Sequence, residues 1–92
     1  MDIKLYKIKV TGKVQGVWFR KYTARRAKNL GLRGFVRNET DNTVYVEVVG
    51  AEKALEIFLD WLHIGSPMSK VRSVNFEVGE MKDFTTFDVL SQ

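Results

Sequence analysis

Two stretches of this 92-residue chain carry their apolar side chains at helical spacing, and each stops at a glycine. From about Trp18 or Arg20 to Leu30, the residues Phe19, Thr23, Ala27 and Leu30 share one face, with Tyr22 at its flank. Lys21, Arg25, Arg26 and Lys28 mostly point away from it, so an amphipathic helix is predicted, closed by Gly31 just past its last turn. A second helix is predicted from about Ala51 to Ile64. Its inner face is Ala51, Ala54 or Leu55, Phe58 and Leu62, widened by Ile57, Leu59 and Trp61; Gly65-Ser66-Pro67 stops it.

Around these helices the period drops to two. Tyr6, Ile8 and Val10 alternate with Lys7, Lys9 and Thr11, the pattern of a half-buried strand. Ile3 and Leu5 fall in the opposite phase, so a bulge or a different pairing is expected at the strand's start. A second strand, Leu32–Asn38, sets Leu32, Gly34, Val36 and Asn38 on one side. The turn Glu39-Thr40-Asp41-Asn42 leads to a third, Thr43–Val49, with Val44, Val46 and Val48 inward and Gly50 at its end. A fourth, Lys70–Val78, places Val74, Phe76 and Val78 on one face, and a short last strand is expected around Phe84–Leu90. The order β-α-β-β-α-β with an extra C-terminal strand predicts an α+β fold, a ferredoxin-like sandwich. Its antiparallel sheet would carry both helices on one face.

A chain of this length is expected to form one domain, residues 1–92. It has no cysteine, which excludes disulfides, thiol catalysis and thiolate metal sites. Lys4, Lys7 and Lys9 interrupt the first ten residues, and no apolar run approaches the ~20 residues needed to span a bilayer. A cytoplasmic protein with no membrane partner is expected. The net charge of +4 divides unevenly: residues 1–38 hold eleven Lys/Arg and one acid, residues 39–92 four Lys/Arg and ten acids. The first segment is therefore +10 and the second −6, which points to a positive face that attracts anions.

That face centres on residues 10–20, where the first strand feeds the first helix through Gly12 and Gly16 and ends on Arg20. A glycine turn that opens a helix presents unpaired N–H groups at the positive end of the helix dipole, a setting suited to phosphate. Arg20 adds a planar, permanently charged fork. Glycine spacing alone favours an ordinary strand-to-helix connection, because short glycine-containing loops of this kind are common, and neither the dinucleotide pattern nor a Walker loop is present. Asn38 ends the second strand, expected to lie beside the first. Asparagine there is commonly a turn-former, but its carboxamide can also hold a water. His63 is the only histidine and has no cysteine or second histidine beside it, so no metal site is expected. Trp18 and Trp61 read as packing residues. Arg33-Gly34-Phe35-Val36 matches only the start of an RNA-recognition signature, and on the wrong strand, so nucleic acid is disfavoured as a partner.

Val10-x-Gly12-x-Val14-Gln15-Gly16-Val17-x-Phe19-Arg20, followed by Gly31-Leu32-x-Gly34-x-Val36-x-Asn38, resembles the signature pair of the acylphosphatase family at that family's spacing. The likeness continues through Gly50, Glu52, Gly65-Ser66-Pro67, Phe84 and Phe87, so it spans essentially the whole chain. One departure is Asp41-Asn42, where many relatives have Asp-Gly; it touches the hairpin and not the site.

The resemblance implies a hydrolase, without metal or cofactor, that splits a small-molecule acyl phosphate into a carboxylate and inorganic phosphate; a monomer is expected. Carried over by position, Arg20 binds the phosphate and Asn38 orients the attacking water, while Gln15, Gly16, Val17, Trp18 and Phe19 supply backbone amides. The chemistry is consistent with these roles. A carboxylate leaves without strong acid assistance, so the protein must only bind the phosphoryl group, stabilise its in-line transition state and place a water. Two alternatives stand beside this one. One is a module that binds an anion or RNA without turnover, and the other is a domain that handles carbamoyl phosphate, as in a larger hydrogenase-maturation protein.

Overall fold

A computed structural model describes residues 2–91. The elements follow the predicted order: β1 (Ile3–Lys13), α1 (Phe19–Asn29), β2 (Arg33–Asn38), β3 (Val44–Ala51), α2 (Glu52–Ile64), β4 (Lys70–Gly79) and β5 (Phe87–Leu90). They form one five-stranded sheet in the order β4-β1-β3-β2-β5. Even-numbered residues of β1, β2 and β3 (Ile8, Val10, Val36, Val44, Val46 and Val48) are fully buried against Phe19, Ala27, Leu55, Phe58 and Leu62 of the two helices. Truncating one of the large members, Phe58 for example, would cost about 3–5 kcal/mol.

The helix ends obey local chemistry. Gly31 follows α1 at φ 72°, and the Leu32 amide donates to the Ala27 carbonyl at 2.9 Å, which closes the helix. Gly65 ends α2 at φ 75° with its amide on the Trp61 carbonyl at 2.9 Å. Asn42 takes the left-handed turn position at φ 71°, a conformation asparagine tolerates.

Several expectations need correction. β3 lies between β1 and β2, so Asn38 does not sit on a strand beside β1. The short β2–β3 hairpin forces those two strands together, and the long β1 then takes the free edge of β3. The sheet is mixed, because β5 pairs parallel with β2 from Gly34↔Phe87 to Arg37↔Leu90. The chain crosses α2 and β4 before returning, which is long enough for a parallel connection. The start of β1 does not bulge: its register with β3 runs unbroken from Ile3↔Ala51 to Val10↔Val44. The irregularity falls at Thr11/Gly12, against β4. Leu5 is buried on the opposite face, across from Val49 and Gly79, and so keeps its out-of-phase place.

Gly50 does not end β3 but pairs with Lys4 inside it. Only Phe87–Leu90 of the predicted last strand is extended in the sheet, while Phe84 packs edge-on against Phe35 at 5.8 Å. Phe76, Val78 and Ile57 are exposed despite their apolar phase. β4 is an edge strand that α2 covers only in part, and Phe76 shields one face by stacking on Tyr6 at 4.6 Å.

Candidate active site

β1 hands over to α1 through residues 14–18, a loop pinned by three buried side chains, Val14, Val17 and Phe19. Between the pins the backbone turns left-handed twice, at Gly16 (φ 73°) and at Trp18 (φ 63°, ψ 15°). Glycine adopts this freely; for a bulky residue such as Trp18 it costs about 1–2 kcal/mol, which the pinned neighbours must offset. Ser66 Oγ adds a tie from the far side, donating to the Val17 carbonyl at 2.9 Å.

The result is an unusual helix entrance. Trp18 stands at the N-cap position, its side chain caps no amide, and the first turn of α1 contains no acidic residue. The leading N–H groups therefore open outward at the positive end of the dipole. Gly12 has a separate task. At φ 124° it sits at the β1–β4 irregularity, where a Cβ would collide with the Lys70 carbonyl oxygen.

Two side chains, Arg20 and Asn38, converge on this entrance from different elements, and a third, Gln15, ties the loop to the hairpin behind it. Arg20, in the first turn of α1, donates from Nη1 to the Leu90 carbonyl of β5 at 2.7 Å. That bond uses one of five guanidinium donors, and Arg20 lines the same cleft as Gly16 and Trp18. Asn38 arrives from the end of β2, half-buried and paired with Val44. Gln15 turns its carboxamide the other way, donating from Nε2 to the carbonyls of Glu39 at 2.9 Å and Thr43 at 2.8 Å. Those carbonyls belong to the hairpin that carries Asn38, so one glutamine ties the loop to it even though β1 and β2 are not neighbours. Gly16, Trp18, Phe19, Arg20, Lys21 and Asn38 line a cleft of about 450 Å³, closed at one side by Val89.

The hairpin is itself braced. Asp41 accepts from the Thr43 hydroxyl at 2.6 Å and the Thr43 amide at 3.2 Å, and lies 3.2 Å from Lys9 Nζ. These hydrogen bonds, with the lysine, hold its carboxyl down at about 2.

A wider depression of about 660 Å³ is lined by Lys13, Lys70 and Arg72, but Asp41 also lines it and no helix entrance opens on it. His63 lies exposed on α2, with Nδ1 2.9 Å from the Leu59 carbonyl, and does not reach the cleft. Trp61 packs beside Phe19 at 6.2 Å. Among the described residues no three of His, Asp and Glu are grouped closely enough to hold a metal ion.

The sequence profile of the family described as acylphosphatase matches residues 6–89. The chain belongs to that family. An acylphosphatase of Archaeoglobus fulgidus is 42% identical over 82 residues, 89% of this chain and 92% of the relative. The structure of an acylphosphatase from Coxiella burnetii superposes with a TM-score of 0.94 at 32% identity, over 97% of this chain and 94% of that one. Full-length HypF, solved in a phosphate- and nucleotide-bound form, is similar at a TM-score of 0.86 and 28% identity. There the match covers 98% of this chain but 12% of the larger protein.

Within this acylphosphatase fold the sequence-predicted residues separate by what they present. Gly16, Trp18, Phe19, Arg20 and Asn38 line the cleft, although the Phe19 ring is buried in the core; Gln15 and Val17 do not line it and direct their side chains into the hairpin and the core. Lys21, Val89 and the Leu90 carbonyl had not been anticipated. A backbone carbonyl carries no residue-type signal, and the parallel placement of β5 that brings it to Arg20 is a long-range event. Lys21 had a signal: it is a cation in a helix's first turn, where stability favours an acid.

Proposed function

We propose that this acylphosphatase-family hydrolase binds the phosphoryl group of its substrate at the entrance of α1, with Arg20 and the amides of residues 15–19, and that Asn38 orients the attacking water. The convergence of Gly16, Arg20 and Asn38 on one cleft at an uncapped, acid-free helix entrance carries this reading. Phosphate oxygens would accept from the loop amides while the guanidinium grips two of them. The water, held by the Asn38 carboxamide, attacks phosphorus in line with the acyl oxygen. As the new P–O bond forms, the P–O bond to the acyl group breaks. The carboxylate takes that electron pair, and the water's second proton stays on the inorganic phosphate, whose oxygens also receive the first. Because a carboxylate leaves readily, the step needs no metal and no protein acid.

On the same reading the chain works as one domain, a monomer in the cytoplasm, on a small molecule and not on nucleic acid. No helix among the described residues is long and apolar enough to cross a membrane. Benzoyl phosphate hydrolysis, followed with and without chelator, tests the proposal. Turnover that survives chelator and is competitively inhibited by inorganic phosphate is expected. Absence of turnover would overturn the reading, and its loss on chelation would remove the metal-free step.

A further inference from the structure

The outer side of α1 continues the cleft as a shelf. A depression of about 220 Å³, lined by Trp18, Lys21, Tyr22 and Arg25, shares Trp18 and Lys21 with the cleft. Another of about 310 Å³ extends it past Arg25 to Lys28 and shares Lys21 and Val89 with the cleft.

The charge at the start of this shelf runs against helix stability, whereas Arg26 and Lys28 in the last turn complement the dipole. Residues 19–29 hold Arg20, Lys21, Arg25, Arg26 and Lys28 and no acid. Arg20 and Lys21 oppose the dipole in the first turn, and Lys21 and Arg25 repel each other at a spacing of four. The ion pairs among the described residues, Lys4–Glu52, Lys9–Asp41, Arg37–Glu39 and Lys82–Glu47, all lie elsewhere. Instead, Lys21 Nζ rests 5.0 Å from the Trp18 ring centroid and the Arg25 guanidinium 5.5 Å from that of Tyr22. A ring face steers a cation without neutralising it and leaves most of its N–H donors to solvent or a ligand. Both cations are exposed and the rings are open to solvent, Trp18 by 68%. Arg25 lies about 6 Å along the helix axis beyond Lys21, so the pair forms a graded rail leading out of the cleft.

We infer that Lys21 and Arg25, set by Trp18 and Tyr22, form a subsite for the acyl end of the substrate, and that the preferred substrates are acyl phosphates whose acyl group bears a second negative charge. This rests on the phosphoryl group occupying the α1 entrance. The small volume of the shelf and its continuity with the cleft match a substrate tail, not an extended polyanion.

Two esters that differ by one carboxylate, benzoyl phosphate and 4-carboxybenzoyl phosphate, provide the test. The wild-type protein is expected to favour the carboxylated ester about twofold to fivefold in kcat/KM at low salt, as for a solvent-exposed ion pair. The ratio should fall toward one at high salt, where exposed charges are screened. Lys21→Gln should bring the ratio to about one, and Arg25→Gln should lower it by part of that amount. General damage to the fold lowers both rates and leaves the ratio alone, so the ratio is the readout. A wild-type ratio of one with both esters turned over, or a ratio unmoved by Lys21→Gln, overturns the subsite while leaving the phosphatase reading intact. No turnover of either ester overturns both.

Discussion

The two basic regions of this molecule treat their charges in opposite ways. Around the hairpin and the outer face of the sheet, cations have found partners: Arg37 with Glu39 at 2.8 Å, Lys9 with Asp41 at 3.2 Å, and Lys82 with Glu47 at 2.7 Å. Arg37 also lies over the rings of Tyr45 and Phe35, at 4.9 and 5.5 Å. Glu47 is buried, which alone would push its carboxyl up, yet hydrogen bonds from Lys82 and from the Tyr45 hydroxyl at 2.6 Å hold it below its ordinary value. Burial and that same carboxylate push the Tyr45 hydroxyl up. Along α1, by contrast, the described residues provide no carboxylate for any of its five cations, and the helix entrance bears no cap. Paired charge stabilises a fold. Charge left unpaired at an open helix entrance costs stability there and suits an anion from solution.

Substitutions at the entrance should therefore remove activity, and those in the paired region should remove stability. Arg20→Lys is the largest expected effect, a loss of kcat/KM of about 10³-fold with thermal stability nearly unchanged. On the proposed role of Arg20, a point charge could not reproduce a two-pronged grip from a guanidinium also anchored on Leu90. Steady-state kinetics beside a melting curve checks both halves. Asn38→Ala should lower kcat by about 10²-fold and leave inhibition by phosphate in place; weakened phosphate binding at unchanged kcat would remove its role in positioning water.

Gln15→Ala sits on the boundary between the two regions. It frees the loop from the Glu39 and Thr43 carbonyls, and is expected to lower kcat by about tenfold and stability by about 1–2 kcal/mol, measured by kinetics and denaturant titration. Glu47→Gln should leave kcat within about twofold and cost about 1–3 kcal/mol at pH 7. Because the carboxyl is held below its ordinary value of 4.5, its stabilisation is complete above that pH and is lost as pH falls through the folded value. The melting difference between Glu47→Gln and wild type should thus shrink on acidification.

What could be read from sequence divides along physical lines. Both helices were legible to within about a residue or two at their ends, because a 3.6-residue period and a closing glycine are local signals. Arg20 and Asn38 are candidates on chemistry alone, but each also has a bland reading, and the two matching motifs are what single them out. The separation of β2 from β1, the parallel pairing of β5 and the outward exposure of Phe76 and Val78 depend on which strand takes which sheet edge. Period-two alternation says that a strand has two faces, but not whether a helix reaches far enough to cover one. Likewise Gly12 and Gly16 look equivalent in sequence, yet one relieves a clash with β4 and the other turns the loop.

A crystal of the protein grown or soaked with inorganic phosphate tests the central claim most directly. A phosphate ion bound by amides of residues 15–19 and by the Arg20 guanidinium, within reach of Asn38, is expected. An empty α1 entrance with phosphate instead in the cationic depression between Lys13, Lys70 and Arg72 would contradict the claim.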